Sequence, residues 1–334
     1  MWRAFVLLAV IADVSYLSFR LEPRVKMDNL AARPAVLNYL ASEKEFVRFW
    51  PVSTESYLDN IVHPLVGMNL PLNLPGTQSP LGYWRVVVFR NAKLINLIAP
   101  GYLHLDEKGL FDGLDLGKPR DPQEIDEGDL YWLRLLNVGN IISHGAQLHV
   151  PGLEPNGSAG DIYFYRVSDP LPRYFLVPDI ERYVHGDAVL ARIARKDWDP
   201  KLSALVEAKI PFTRHTSNPG RVDLKYFAPG KWMFKLSLPM AQVESSARIA
   251  QYFLVVGETY IPGWRAFSGG REIKVFRADY NFMGIPFPPG QYDVSFVYQP
   301  VQTRIALWAG LGAACFWLLL GAGIAVKRGL GQSN

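Results

Sequence analysis

Near its C-terminus the chain carries an apolar run, Ile305 to Val326, without a single charged residue. As a helix rising ~1.5 Å per residue, it reaches about 33 Å, enough for a hydrocarbon core of ~30 Å. A run of this kind either spans a bilayer or forms the central helix of a soluble body. Its length and complete lack of charge favour the span. Gly310, Gly312, Ala313, Ala314, Gly321 and Gly323 recur along it and offer a surface on which another helix can approach closely. Lys327 and Arg328 follow at once, and basic residues flanking a span mark its cytoplasmic side. The chain before the run is therefore expected outside the cytoplasm, with residues 303–326 as a transmembrane helix and 327–334 as a cytoplasmic tail.

The N-terminus has a weaker second run, Ala4 to Phe19, interrupted by Asp13. A cleaved signal peptide and a retained helix compete here. No small-x-small cleavage pattern follows, and Tyr16, Leu17, Phe19 and Arg20 read as an interfacial anchor, so residues 1–20 are expected to stay as a helix. Arg3 on one side and Arg20, Arg24 and Lys26 on the other give opposing orientation signals, which leaves orientation to the C-terminal run. A carboxylate at mid-bilayer costs ~2.5–3.5 kcal/mol on insertion scales, so intramembrane acids usually face protein. Asp13 either sits protonated or snorkelling near the interface, or marks a helix that expects neighbours, contributed by a polytopic membrane partner or by a helix bundle preceding this chain.

Between the ends, the 334-residue chain has one cysteine, Cys315, and it lies inside the apolar run. Neither a disulfide nor a cysteine metal site can hold the water-exposed region together, so packing alone must do so. The net charge is only +4, and Lys and Arg interleave with Asp and Glu. Nucleic-acid binding needs a clustered basic stripe, and none is present. The histidines form no His-x-x-x-His pair. His144 and His149 flank Gly145 to Leu148 and are the nearest approach to a shared metal site. There is no Gly-x-Ser-x-Gly and no phosphate-cradling glycine loop. The residues alone nominate no catalytic group, no metal site and no cofactor.

Residues 21–202 read as mixed α/β. A short helix is expected from Pro34, a strand from Trp84 to Phe89 and a helix over Gly128 to Leu136. Strands follow at Val138 to Ile142, Asp161 to Val167 and Arg173 to Val177. Residues 117–128 and the turn-rich stretch 151–160 are expected to be loops. Residues 203–302 read as a β-sandwich. Apolar side chains alternate with polar ones at Val222, Leu224 and Tyr226, at Trp232, Phe234, Leu236 and Leu238, and at Tyr292, Val294, Phe296 and Tyr298. Pro229-Gly230, Gly269-Gly270 and Pro289-Gly290 separate them as turns. The expected class is thus α+β: an extracytoplasmic mixed α/β region, then a β-sandwich, flanked by an N-terminal and a C-terminal transmembrane helix.

The segment Gly257 to Tyr298 stands apart. It opens Gly257-Glu-Thr-Tyr-Ile-Pro-Gly-Trp264, passes through Arg277-Ala-Asp-Tyr-Asn281 and a Pro289-Gly290 turn, and ends in a strand closing on Tyr298 just before the last apolar run. In Glu258, Tyr260, Pro262, Gly263, Trp264, Arg277, Ala278, Asn281, Gly290 and Tyr298 it resembles the C-terminal segment of the bacterial YfhO family of polytopic membrane proteins. Gly269 stands where that family favours Asp, and Pro289 where it often has Ala; both are turn positions. Leu136-Asn-Val-Gly-Asn-Ile-Ile-Ser143 is similar to a further stretch of the family.

The resemblance implies a relation to glycosyltransferases of the GT-C class, which use polyprenyl-phosphate-linked sugars on the outer side of the bacterial cytoplasmic membrane. In that family the catalytic acid lies in an early loop of a large helix bundle that has no counterpart here, so no catalytic residue carries over. What the resemblance implies for this chain is a module acting on lipid-linked sugars or cell-envelope glycopolymers, with the lipid bilayer and a polytopic protein as partners. A non-catalytic carbohydrate-binding or assembly module is the alternative. Tyr260 and Trp264 are expected to fill the sandwich core, with Pro262-Gly263 as a strand bend; as exposed rings they would instead offer flat faces to a sugar.

Overall fold

The computed structural model describes residues 39, 42, 48–53, 103–105, 111–114, 124–212, 220–228, 230–240 and 251–300. The apolar runs with Asp13, the strand expected at Trp84 to Phe89 and most of the helix expected from Pro34 lie outside the described residues. Among the described residues no helix is long and apolar enough to cross a membrane. They are mostly β-strand with two helices, in keeping with an α+β class.

The chain divides into two compact units that interleave in sequence. One comprises residues 1–175, 192–202 and 256–258; the other comprises 176–191, 203–255 and 259–334.

The first unit is built on a four-stranded sheet, ordered β1 (Arg48–Ser53), β4 (Val138–His144), β6 (Ile162–Val167), β5 (Leu153–Ala159). β1 runs parallel to β4, and the other pairs are antiparallel. A small hairpin of β2 (Leu103–Leu105) and β3 (Phe111–Leu114) precedes helix α1 (Glu127–Leu135). Asp126 caps α1: its side chain accepts from the Asp129 N–H, and the Asp129 carboxylate accepts from the Asp126 N–H. The helix ends where Asn137 takes a left-handed φ of 60°, a conformation that asparagine tolerates better than most residues. The chain then enters β4, buried along its whole length, Asn140, Ser143 and His144 included. Phe49, Ile142, Ile162 and Phe164 form the apolar centre, and Tyr39 stacks on Phe164 at 4.1 Å. The stretch expected as a loop at 151–160 is strand β5. Its Pro155 and Asn156 hid the strand from propensity because β5 is an exposed edge carrying a bulge between Pro155 and Ser158, where such residues are tolerated.

The second unit carries an antiparallel five-stranded sheet, ordered β10 (Arg221–Ala228), β11 (Lys231–Leu238), β17 (Gly290–Tyr298), β13 (Trp264–Ser268), β14 (Arg271–Ile273). The alternation read in the sequence is realised here: Trp232, Phe234, Leu236 and Leu238 point inward, while Lys231, Met233 and Lys235 are exposed. Trp232 stacks near Phe234, and Phe234 meets Phe296 edge-on at 6.1 Å. A six-stranded sheet has the order β7 (Tyr174–Val177), β12 (Tyr252–Val256), β16 (Phe282–Phe287), β15 (Phe276–Ala278), β9 (Ser203–Val206), β8 (Asp179–Arg182). Helix α2 (Gly186–Ala194) follows β8. In β16, Gly284 lies so close to the Phe253 ring that any side chain would collide with it.

Candidate functional site

The segment Glu258 to Trp264 is where the sequence concentrates its specific residues, and the side chains around it fall into three groups.

In the first unit, Glu258 closes a buried cationic cluster. Its Oε2 lies 3.0 Å from Arg173 Nη2. Arg173 is 3% exposed and Arg48 5% exposed. Arg48 donates to the Leu136 carbonyl at 2.9 Å and to the Gly257 carbonyl at 2.7 Å. The Gly257 N–H donates in turn to the Arg173 carbonyl at 2.6 Å. Two buried guanidiniums thus lie beside one carboxylate, that of Glu258, which is itself 27% exposed. Burial, with the nearby Arg173 charge adding to it and Glu258 opposing it, brings Arg48 down to about 9. Burial likewise lowers Arg173, with Glu258 opposing. Chemically this is a clamp: it ties β1, the exit of α1 and the 257–258 strand end through charge-assisted hydrogen bonds. The carboxylate of Glu258 is engaged in the clamp.

In the second unit, Tyr260, Arg277 and Asn281 come together. The Arg277 guanidinium sits 4.8 Å over the Tyr260 ring, and the Tyr260 N–H donates to the Asn281 carbonyl at 2.7 Å. Between them lies the loop joining β15 to β16, in which Asp279 and Tyr280 both take left-handed φ values, 48° and 72°. Neither is glycine, so the loop holds strain that its surroundings must over-determine. They do so through hydrogen bonds: the Asp279 N–H donates to the Leu205 carbonyl, and the Leu205 N–H donates to Asp279 Oδ1, both at 2.8 Å. Asp279 is 6% exposed, and its Oδ2 has no hydrogen-bond partner among the described residues. Burial pushes this carboxyl up to about 7, against the pull of the Leu205 N–H. A buried carboxyl raised in this way exchanges its proton near neutrality.

The third group is the turn Pro262-Gly263 and the strand start Trp264. The Trp264 N–H donates to the Ile261 carbonyl, and the Gln299 N–H donates to the Gly263 carbonyl at 2.7 Å. Gly263 has φ +114°, and a Cβ there would lie 2.9 Å from the Pro300 backbone, so glycine is required on both counts. Trp264 is the register partner of Tyr298, with ring centroids 5.5 Å apart. Both rings, and that of Tyr260, are half-buried. This corrects the expectation that Tyr260 and Trp264 fill the core. Trp232, Phe234 and Phe296 occupy that place on this sheet. Trp264 opens its strand at the sheet's end and Tyr260 precedes the turn, and both are only partly buried.

The metal-site pairing of His144 with His149 finds no support among the described residues. His144 is buried, with Nε2 2.8 Å from the Asp161 carboxylate, whereas His149 is exposed. Among the described residues no group of His, Cys, Asp or Glu is arranged to hold a metal. Sequence reasoning missed Arg48, Arg173 and Asp279. The last stands in a turn flanked by strand-like residues, but nothing local announces its burial; the first two are brought to Gly257 and Glu258 only by the fold. No protein-family model, no curated protein and no solved structure matches the chain.

Proposed function

We propose that this chain is the membrane-anchored, extracytoplasmic module of a YfhO-like glycosyltransferase system acting on lipid-linked sugars or cell-envelope glycopolymers, and that it positions partners and performs no transfer itself. The observation that carries this reading is the use made of the family-like block: Glu258 is engaged by Arg173, Arg277 covers Tyr260, and Gly263 holds a turn. Side chains occupied in this way favour a positioning role over bond-making. The apolar runs at the two ends support anchoring, and Asp13 supports a polytopic partner whose bundle does the chemistry.

The test is a pull-down of the full chain in mild detergent, with a sugar-transfer assay from a polyprenyl-phosphate donor. The expected result is recovery of a multi-helix membrane protein, less of it with Asp13→Leu, and transfer only when that protein is present. Transfer by the purified chain alone would refute the reading, as would recovery of the chain in the carbonate-soluble fraction.

The half-buried pair Trp264 and Tyr298 favours a second reading, a carbohydrate-binding module without a transferase partner. Quenching of tryptophan fluorescence by envelope glycopolymer, lost in Trp264→Ala and independent of any partner, would select it.

A further inference from the structure

We infer that the outward face of the five-stranded sheet, at the end where β17 leads toward Ile305, rests on anionic lipid headgroups through Tyr226, Lys231, Met233, Arg265 and Phe267. The inference builds on the reading of residues 303–326 as a span and adds the surface that meets the membrane beside it.

Strand register places these residues together. Tyr226, Met233, Ser295 and Phe267 face one another in a row across four strands, and Lys231, Val297 and Arg265 form the next row toward the end of β17. On β11, β17 and β13 they alternate with buried side chains, and register with Met233 puts Tyr226, just past a bulge in β10, on the same face turned away from the core. Tyr226 is 49% exposed and Met233 39%, which makes two register partners an exposed apolar pair. A cation flanks each aromatic: Lys231 Nζ lies 5.6 Å from the Tyr226 ring and the Arg265 guanidinium 5.1 Å from that of Phe267. An amphipathic tyrosine and an apolar phenylalanine beside long cationic side chains suit a membrane–water interface, where the ring enters the headgroup layer and the cation meets phosphate.

Charge runs along the same face. Farther from the end of β17, Asp223, Lys235 and Asp293 form a row, and Arg221 beyond it pairs with Asp223 at 2.7 Å, so acids and bases balance there. Nearer that end the acid in register with this face is Glu272, and Arg265 holds it through Nε at 2.8 Å. Chain length points the same way. β17 ends at Tyr298 and the apolar run begins at Ile305. At ~3.3–3.6 Å per extended residue, the connection reaches at most about 25 Å. The aromatic end with Lys231 in excess is thus the end held near the bilayer, and the end whose charges balance is held away from it.

The test uses the full chain with Cys315→Ala and one new cysteine, Met233→Cys on the face or Arg221→Cys at the far end of β10, each labelled with bimane. The chain is reconstituted into vesicles containing a headgroup-nitroxide lipid in phosphatidylglycerol or in phosphatidylcholine. Flotation reads the anchor and quenching reads the face. The expected result is quenching several-fold stronger at 233 than at 221 in phosphatidylglycerol, weaker in phosphatidylcholine. It should fall to the level seen at 221 in Lys231→Gln with Arg265→Gln, while flotation is unchanged. Lys231→Gln alone, at an exposed strand start, should give a partial loss and guards against misfolding of the double variant. Equal quenching at 233 and 221 in a chain that still floats overturns the inference and leaves the anchor standing. So does quenching that does not depend on lipid charge, or protection of position 233 from iodide in neutral detergent, which would show a second protein copy on the face. A chain that fails to float overturns the anchor and the inference with it.

Discussion

The two units bury ionisable groups on opposite terms. In the first, Arg48 and Arg173 are countered by Glu258 and by backbone carbonyls. In the second, Asp279 is countered by one backbone N–H, from Leu205. The first arrangement locks charge in place, because removing any member leaves the others stranded in a low-dielectric setting. The second leaves a group whose charge state follows pH. The difference separates a part of the molecule built to resist change from a loop whose stability depends on its surroundings.

The largest effect that would break this contrast is in the first unit. Glu258→Ala should cost about 3 kcal/mol, the low end of the penalty for orphaning one side of a buried pair because the carboxylate is 27% exposed, read as a lower urea midpoint in that unit's unfolding. Arg173→Met with Glu258→Met should cost less than the two single changes together. Equal, additive losses would mean that the clamp carries no coupling.

Next is Asp279→Asn, which sharpens the contrast from the other side. The folded carboxyl titrates near 7 and the unfolded one near 3.8, so between these values the folded state binds more protons. This group's favourable contribution is therefore complete below about pH 4, declines as pH rises and is gone above about pH 7. The asparagine variant should lose that decline and exceed the parent at pH 8 by something on the order of 2–4 kcal/mol, at ~1.36 kcal/mol per tenfold change in proton affinity. Urea titrations at pH 5 and pH 8 measure it; an unchanged pH slope would remove Asp279 from the account.

Gly263→Ala comes third, at roughly 1–3 kcal/mol for a strained left-handed backbone meeting the Pro300 main chain, visible as a lower Tm. Trp264→Ala should be milder than truncation of a fully buried tryptophan, below the ~3–5 kcal/mol typical of such sites, because its ring is only half-buried. A loss as large as that of Trp232→Ala would return Trp264 to the core.

The same contrast explains what was legible in the sequence. Strand β11 could be read directly, since one face meets the core and the other water, and Lys231 to Leu238 therefore alternate. Strand β4 is buried along its whole length, Asn140, Ser143 and His144 included, so its sequence shows no alternation, and only the short apolar pair Ile141-Ile142 signals a strand. Its parallel partner β1 lies far upstream, and no local pattern signals that pairing. Helix α1 announced itself by the apolar spacing of Leu130, Leu133, Leu135 and Leu136. Edge strand β5 did not, because polar residues, proline and glycine are what an exposed, bulged edge accepts. The motif block identified where the specific residues lie, yet two of the three groups around it depend on Arg48, Arg173 and Leu205, whose roles arise only when distant segments meet.

The return of residues 256–258 to the first unit sets a timetable for the chain's birth. Arg48 and Arg173 leave the ribosome well before the Gly257 carbonyl and Glu258 carboxylate that complete their clamp. At ~5–20 residues per second, the interval is on the order of ten seconds. During that time the first unit holds two desolvating guanidiniums without their carboxylate, so it cannot reach its final stability ahead of the segment inserted into it. A nascent chain stalled before Gly257 should remain protease-sensitive in residues 48–175, and one released beyond Glu258 should not. The unit that starts first finishes late.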